Sequence, residues 1–544
     1  MMKRFTVFLL IIVLCTSFSK QIYAEEAISE EVVFADPNLE TAIKSLLKKT
    51  SVEAVTKSDL ETLTNVNLTD KEIKSLQGLE YATNITQLNL SYNDIADISS
   101  LKGLTKIQNL NLRGNQVTSI EDLSAMKDLE FLTITFNQIS SLDVVKQLPR
   151  LQELIADRNQ ISNINGLSDA IEMTRLDLNS NKIEDLEPLG KLTKLTDLDV
   201  GYNQIHDIVP LSKLTKLTRL GVYNNQIHNI SPLQLLSTNL TSLSVDNNKI
   251  TDLKPLAKLV NLTSLSIHGN NVTDIKPLEK LVNLTSLAIG SNYITDLKPL
   301  TGLVNLNTLG ASDNNIKDLA PLSKLVDLIG LGLSSNQIYD LEPLRNMKRL
   351  ATLDLSNNRI WNLEPIQNIA FSNSFEYDHG AKLNNNNLDL SQGTKTFQIF
   401  QKIHFNNSNP EEVRMSQRKT QRLVIGSTTA YVGDRANSIT AAPFIYMDRT
   451  YVPIRFVSEK LGANVSWNQS TKEVTIQKND KTIRWVVGNR QVRVNQQTMM
   501  FDSPLLLRGN TTFVPIRFVS EQLNTSVEYL GSKKMVIIFE NEAK

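Results

Sequence analysis

Asparagines recur along the chain at an interval of twenty-two residues, with a single interval of twenty-three. Each lies in an L-x-x-L-x-L-x-x-N-x-I frame, seen for example as Leu284, Leu287, Ile289, Asn292 and Ile294. A unit of this length cannot bury its own leucines, so the repetition restricts the chain to a stack of similar units that share one core. The thirteen positions are Asn93, Asn115, Asn137, Asn159, Asn181, Asn203, Asn225, Asn248, Asn270, Asn292, Asn314, Asn336 and Asn358.

The frame predicts a short strand followed by a turn. Side chains alternate between the two faces of a strand, so the leucines point inward and the residues between them face solvent on one parallel sheet. The asparagine lies where the chain leaves the strand, where its amide can hydrogen-bond backbone groups that would otherwise be buried without partners. A D-[IL]-x-P-L segment follows, and its proline, which recurs from Pro188 to Pro365, favours a short helical turn.

The period is that of leucine-rich repeats. We therefore predict an α/β solenoid, namely a leucine-rich repeat horseshoe with short parallel strands and a mostly 3-10 or irregular convex side. A helical N-terminal cap and a small duplicated α+β C-terminal domain complete the predicted fold class.

The first twenty-four residues are typical of a secretory signal peptide. Lys3 and Arg4 precede an apolar run, and Ala24 offers a small residue before Glu25. No later apolar run approaches the roughly 18 residues that a membrane helix needs. We therefore expect a secreted protein, extracellular or associated with the cell wall, without a membrane span.

Charge and cysteine content exclude several classes of site. Removal of the signal would leave 54 basic and 57 acidic residues, a balance that does not favour nucleic acid as a partner. Cys15, the single cysteine, lies inside the predicted signal, so the mature chain has no disulfide, thiol nucleophile or thiolate metal site.

A helix start at Asp36 and Pro37, and a capping box from Thr56 to Asp59, predict a helical N-terminal cap before the repeats. Residues 371–405 keep spaced hydrophobic residues without the frame, which favours a closing cap. The predicted domains are a signal peptide at 1–24, the N-terminal cap at 25–62, about fourteen repeats at 63–370, the C-terminal cap at 371–405, a linker at 406–421 and a last domain at 422–544.

The last domain repeats itself at an offset of 62 residues, in predicted copies at 422–483 and 484–544. The segment from Val452 to Glu459 is identical to that from Val514 to Glu521. Each copy is predicted to run from strands into one helix that starts at Pro453 or Pro515. The arginine and glutamate four residues apart in each helix are interpreted as ordinary surface ion pairs.

These features carry two resemblances. The cap FADPNLETAIKSLL, the lead-in NLTDKEIKSLQGLE and the repeats resemble the internalin-type leucine-rich repeat proteins of Gram-positive bacteria over residues 34 to about 370. The VP[IL]RF-x-[SA]-E-x-LG segments at Val452 and Val514 are similar to the stalk domain called copper amine oxidase N-terminal-like, with Asn524 in place of the usual glycine. The resemblance implies a secreted or surface-attached module, and it carries no copper ligand or quinone cofactor to these positions.

The sequence predicts no enzyme, no cofactor and no metal site. The five histidines are scattered, and the only Asn-Tyr pair, Asn292-Tyr293, belongs to the repeat frame. His206 and His228 lie one repeat apart, which allows a metal pair, but a solvated surface column explains them better without a third ligand. No G-x-S-x-G, H-E-x-x-H or phosphate-binding loop motif occurs.

The predicted concave face is uneven along the chain. Repeats two to seven display aromatic and charged residues, whereas repeats eight to thirteen display mostly Ser, Gly, Thr and Asn. Aromatic and arginine side chains dominate many interfaces, and solvent-exposed phenylalanines favour a partner that covers them. The alternative is lateral packing between neighbouring repeats. The candidate partner-binding residues are Arg113, Phe131, Phe136, Arg158, Arg175, Asp177, Asp199, Tyr202, Arg219 and Tyr223.

Two hypotheses follow. In the first, a non-enzymatic extracellular protein binds a host or bacterial protein along the concave face, and the stalk-like tail is a spacer or cell-wall-proximal module. In the alternative, a cell-envelope structural or glycan-binding protein uses the tail as the binder of a cell-wall glycan, and the repeats are a scaffold.

Overall fold

The computed structural model describes residues 30–236, 238–371, 380–403 and 409–540. The predicted signal peptide at 1–24 lies outside these residues. The chain divides into two compact units, residues 1–262 and 263–544, which are described in turn.

The first unit opens with a helical cap made of α1 (Pro37–Leu46) and α2 (Lys57–Leu60). Asp36 caps α1 by accepting hydrogen bonds from Asn38 N and Leu39 N, and its second oxygen accepts from Lys74 N and Ser75 N in the first repeat. Burial raises the pKa of the Asp36 carboxyl, but these four backbone donors outweigh it and leave the pKa lowered. One side chain therefore both starts the helix and fixes it to the solenoid.

Nine three-residue strands follow, and the central residue of each is a buried leucine or valine. They pair in parallel with their neighbours in register, and 3-10 helices from Leu79–Tyr81 to Ser231–Leu236 return the chain between them. The strands are β1 Asn65–Asn67, β2 Gln87–Asn89, β3 Asn109–Asn111, β4 Phe131–Thr133, β5 Glu153–Ile155, β6 Arg175–Asp177, β7 Asp197–Asp199, β8 Arg219–Gly221 and β9 Ser242–Ser244.

The frame asparagines form the predicted ladder. The Asn225 amide nitrogen donates to the carbonyls of Val200, Val222 and Tyr223 at 3.0, 3.1 and 3.1 Å, and its oxygen accepts from Ile205 N at 3.0 Å. The residue before each ladder asparagine often adopts a left-handed backbone conformation, with φ near 50°. That conformation turns the chain sharply out of the strand.

The second unit continues the pattern through six strands. Neighbours such as β13 Gly330–Gly332 and β14 Thr352–Asp354 pair in parallel, and 3-10 helices from Lys276–Lys280 to Glu364–Ile366 return the chain. These strands are β10 Ser264–Ser266, β11 Ser286–Ala288, β12 Thr308–Gly310, β13 Gly330–Gly332, β14 Thr352–Asp354 and β15 Gly380–Lys382. The predicted α/β solenoid of leucine-rich repeats, with 3-10 returns, is confirmed.

A further ladder asparagine, Asn386, lies in the segment where the sequence frame was expected to stop. Its amide nitrogen donates to Leu355 O, Leu383 O and Asn384 O, and its oxygen accepts from Ile360 N at 3.0 Å. It escapes the sequence pattern because 28 residues separate it from Asn358. Helices α3 (Lys395–Phe400) and α4 (Pro410–Met415) follow, the second within the stretch predicted as a linker.

The tail is built from two copies related element by element. Its helices α5 (Ile454–Lys460) and α6 (Ile516–Gln522) start one residue after the predicted prolines, and Gly462 and Asn524 adopt the left-handed conformation expected after each helix. Its fourteen strands all pair in antiparallel fashion. The strands are β16 Thr420–Val424, β17 Thr429–Val432, β18 Arg435–Ser438, β19 Phe444–Tyr446, β20 Arg449–Pro453, β21 Asn464–Asn468, β22 Glu473–Lys478, β23 Lys481–Val486, β24 Gln491–Val494, β25 Gln497–Met500, β26 Leu506–Arg508, β27 Thr511–Pro515, β28 Thr525–Leu530 and β29 Met535–Glu540.

The copies exchange strands. The sheets run β18-β17-β16-β29-β28 and β21-β22-β23-β24-β25, so each combines strands from both copies. A third sheet, β19-β20-β27-β26, pairs Val452 with its equivalent Val514 at its centre. Neither copy can complete its sheets alone, so the two fold as one domain.

Within the second unit the tail packs against the last repeats. The Glu528 carboxylate accepts from Lys317 Nζ at 2.8 Å and from Arg359 Nη1 at 2.9 Å, and the Arg422 guanidinium lies 4.1 Å from the centre of the Trp361 ring. Asp434 N donates to the Asp389 carboxylate at 2.9 Å. These contacts fix the tail to the solenoid by charged and aromatic side chains.

We expect Glu528→Gln to lower the free energy of unfolding by about 2 kcal/mol, because it leaves the largely buried Arg359 without its counter-charge. Chemical denaturation monitored by tryptophan fluorescence measures this loss. Glu521→Gln is the matched control, since its pair with Arg517 is exposed to solvent and contributes little to stability. Equal effects of the two variants would contradict the docking role of Glu528.

Candidate functional site

The candidate site lies on the strand face of the first unit. We define the strand face as the first and third residues of each strand together with the two residues before each ladder asparagine. In this unit those positions carry three groups of side chains, an aromatic-arginine column, a tyrosine-aspartate cluster and a charged row.

The aromatic-arginine column consists of Tyr92, Arg113, Phe136 and Arg158. The Arg113 guanidinium lies 5.5 Å from the Tyr92 ring centre and 5.6 Å from that of Phe136, and the Arg158 guanidinium lies 4.5 Å from Phe136. Cation-π contacts of this kind hold a ring and its charged neighbours in fixed positions. The Phe136 ring still exposes 41% of its surface.

The backbone at three residues of this column has an unusual conformation. Tyr92, Phe136 and Arg158 have φ values of 56°, 55° and 55°, in the left-handed region. A residue with a Cβ atom loses roughly 1 kcal/mol or more in that conformation, which glycine and asparagine tolerate best. Ser180, Asn224 and Asp313 have the same left-handed conformation at this position in other repeats, so the turn itself does not require a bulky side chain.

The tyrosine-aspartate cluster consists of Asn179, Asp199, Tyr202 and Tyr223. The Tyr223 hydroxyl donates to the Asp199 carboxylate at 3.0 Å and accepts from the Asn179 amide, and its ring meets Tyr202 edge to face at 5.7 Å. The Tyr223 ring fits beside residue 201 because that residue is glycine, since a Cβ atom there would come within 2.6 Å of the ring. The cluster is preorganised and leaves Tyr202 56% exposed.

Asp199 of this cluster and the neighbouring Asp177 are carboxylates in an electrostatically unfavourable environment. Burial, with Asp199 and Asp157 nearby, raises the pKa of Asp177 from 3.8 to about 6. Burial also raises the pKa of Asp199 and that of Tyr223, the latter with a contribution from the Asp199 charge. A cationic group of a partner would relieve this repulsion, so the cluster favours a basic ligand surface.

Asp177→Asn is expected to raise stability at pH 7.5 by about 1 kcal/mol, after allowance for solvent screening of a carboxyl that is partly exposed. The folded pKa exceeds the unfolded one, so the native state binds more protons between pH 4 and 6 and the wild-type chain loses stability as the pH rises through this window. Asparagine keeps the hydrogen bond from Asn179 N. Thermal unfolding from pH 4 to 7.5 tests this, and a difference between the variant and wild type that does not grow with pH would contradict it.

The charged row lies on the first residues of five neighbouring strands. Arg175 pairs with Glu153 at 3.7 Å, and Arg219 pairs with Asp197 at 3.7 Å. These long, exposed contacts resemble the self-satisfied ladder that lateral packing predicts, and such pairs contribute little to stability. Phe131 stands next to Glu153 in the same row with 36% of its surface exposed.

The strand face of the second unit is different in character. Strands β10 to β13 present small residues, among them Ser264, Ser286, Gly310, Gly330 and Gly332. Small and flexible polar residues provide little contact area for a partner. The predicted unevenness of the solenoid surface is therefore present in the structure.

The repeat geometry now allows comparison with known proteins. The sequence matches the family Leucine Rich repeats (2 copies) in seven segments between residues 83 and 368. An internalin (inlF) from Listeria monocytogenes, known from its crystal structure, is 34% identical, with a TM-score of 0.58 over 62% of this chain and 99% of that one. This chain belongs to the internalins.

Other known proteins resemble this internalin in fold, and a second family matches its tail. InlJ from Listeria monocytogenes, 21% identical, matches with a TM-score of 0.57 over 84% of this chain and 96% of that one. A leucine-rich repeat protein of Leptospira interrogans, 24% identical, matches with a TM-score of 0.55 over 61% and 86%. Residues 401–465 and 431–538 match the Copper amine oxidase N-terminal domain. Among curated protein sequences, none matches the chain.

In the part of this internalin that the structure describes, no group of three or more His, Cys, Asp and Glu side chains is placed to hold a metal ion. Within the same residues, no helix combines the length and apolar character needed to cross a bilayer.

Sequence reasoning missed Tyr92 and Asn179, although it placed the ten candidate residues on the strand face. Tyr92 precedes ladder Asn93 just as Phe136 precedes Asn137, so the repeat register alone could have found it. Asn179 could be found only from the structure, because its amide meets Tyr223 across two repeats. The ten candidates remain predictions for partner binding.

Proposed function

We propose that this internalin is a non-enzymatic extracellular protein that binds a protein partner through the strand face of its first unit. The observation that carries the proposal is Phe136, whose ring is held between two arginines in a strained backbone conformation and yet is 41% exposed. Leucine-rich repeat solenoids generally bind proteins along this surface.

The chemistry of the face defines the partner further. The aromatic-arginine column offers apolar area rimmed by guanidinium groups, and the tyrosine-aspartate cluster offers buried carboxylates that a basic side chain would neutralise. We infer a folded protein with an acidic and apolar patch for the column and a lysine or arginine for Asp177 and Asp199. The tail acts as a spacer or cell-wall-proximal module that is fixed to the last repeats.

The full-length chain used as bait in cross-linking capture, with mass spectrometry to identify the captured protein, tests this proposal. Replacing Phe136, Tyr202 and Tyr223 together by alanine is expected to abolish capture. The matched control replaces three exposed tyrosines outside the strand face of the first unit, Tyr293, Tyr446 and Tyr529, by alanine and should retain it. Unchanged capture by the first triple variant would place the binding site elsewhere.

A further inference from the structure

A second candidate site lies in the tail, in a groove formed where the two copies meet. The groove encloses about 880 Å³. It is lined by residues 438–441 at the end of β18, one side of α5, the turn between β21 and β22, and the hairpin between β26 and β27. Its lining combines the aromatic Trp467 and Phe456 with the cations Arg455, Lys472 and Arg508. Serine, threonine, asparagine and glutamine account for half of the remaining lining residues.

The groove carries unbalanced positive charge. Arg455 pairs with Glu459 at 3.8 Å, a long contact between two exposed side chains, and this is its one ion pair within the described residues. Lys472 and Arg508 have no carboxylate partner in the same part of the chain, and Arg508 is held 3.7 Å from the Phe444 ring centre. Three cations thus face the groove with one carboxylate among them.

In the second copy, the equivalent arginine is neutralised by an aspartate. Its equivalent of Thr440 is Asp502, which pairs with Arg449 at 3.0 Å and with Arg517 at 3.8 Å. In the first copy, the corresponding contact is only a hydrogen bond between the hydroxyls of Thr511 and Thr440. The exchange of aspartate for threonine removes the charge that would neutralise Arg455.

Apolar packing differs between the copies in the same direction. Phe518 is fully buried against Trp485 and Phe501, whereas its equivalent Phe456 is only half-buried. In the first copy the smaller Leu423 and Ile439 stand where the second copy has Trp485 and Phe501. The first copy therefore leaves an aromatic surface open beside its cations. Open aromatic surface and unpaired cations therefore occur together at this place in the first copy.

We propose that this groove binds an acidic polysaccharide. Sugar rings pack their apolar faces on aromatic side chains, here Trp467, whose indole N–H is fixed by Gln469 Oε1 at 2.7 Å. Carboxylate or phosphate groups on the polymer pair with Arg455, Lys472 and Arg508. The polar wall supplies donors and acceptors for hydroxyls. This site is independent of the strand face and of its protein partner.

Calorimetric titration of the full-length chain tests the proposal with two acidic probes, an oligogalacturonate and a phosphodiester-linked glucose oligomer, which separate carboxylate from phosphate recognition. Methyl-esterified oligogalacturonate is the neutral probe. We expect at least one acidic probe to bind about tenfold more tightly than the neutral one, as charge-assisted hydrogen bonds predict. Binding of neither acidic probe, or equal binding of the neutral one, would overturn the proposal.

Two variants locate the site. Trp467→Ala and Thr440→Asp should each weaken binding by about tenfold or more, the second by giving Arg455 the carboxylate that Arg517 has in the other copy. Two control variants should change the Kd by no more than about twofold. Tyr529→Ala alters the position equivalent to Trp467, and Thr498→Asp adds the same charge at an exposed position outside the groove. Equal losses in the variants and their controls would refute the groove, and circular dichroism verifies that all four are folded.

Discussion

Replacing Asn292 by alanine is expected to lower the free energy of unfolding by about 3 kcal/mol or more. The Asn292 amide nitrogen donates to Ile267 O, Ile289 O and Gly290 O at 3.0, 3.2 and 2.9 Å, and its oxygen accepts from Val272 N at 3.0 Å. Alanine removes all four bonds and leaves buried backbone groups that water cannot reach. Chemical denaturation of the full-length chain measures the loss.

Asn305→Ala provides the control for this prediction. Asn305 lies nearby in the chain and donates one exposed hydrogen bond to Val282 O, so its loss should cost less than about 1 kcal/mol. Both variants introduce the same residue and the same change in backbone propensity. If the two destabilise the chain equally, the ladder is not the source of the rigidity of the repeats.

Phe136→Gly is expected to weaken binding of the protein partner by about 2 kcal/mol or more, roughly thirtyfold in Kd, while leaving the chain as stable as before or more stable. The ring is the exposed centre of the aromatic-arginine column, so its removal takes contact area from the interface. The backbone at Phe136 has φ of 55°, which glycine adopts without the strain that a Cβ atom brings. Affinity for the captured partner and thermal unfolding, measured on the same variant, separate the two effects.

This variant distinguishes binding from lateral packing. If Phe136 serves only to stack neighbouring repeats, Phe136→Gly should destabilise the chain and leave the affinity unchanged, the reverse of our expectation. Ser335→Gly is the matched control, because Ser335 occupies the same left-handed position in a repeat with a small-residue strand face. It should not change affinity.

Much of the fold could be predicted because its information is local. Each repeat contains the residues that determine its own structure: leucines at fixed spacing, an asparagine at the strand exit and a proline at the following turn. The same unit is then repeated along the chain. Asn386 shows the limit of this reasoning. It makes the same four bonds as the other ladder residues, but an insertion before it breaks the spacing by which they are recognised.

The candidate site could be predicted only in part. The alternation of strand side chains placed Phe136, Arg158, Tyr202 and Tyr223 on one surface. It could not show that Tyr223 lies over Gly201, or that the arginines stack on Phe136, because side-chain direction depends on the neighbours that leave room for it. In the tail, the sequence identity of the two helices concealed the difference between Thr440 and Asp502, which matters only because Arg455 and Arg517 face them.

The sequence by itself determined the repeating unit, its strand, its ladder amide and its turn, because each is fixed by residues a few positions apart and then repeated. Tertiary structure alone decided which distant side chains meet, such as Glu528 and Lys317, which are 211 residues apart. It also decided the burial that raises the pKa of Asp177. Such contacts depend on how separate segments pack in space, and no period in the sequence records that packing.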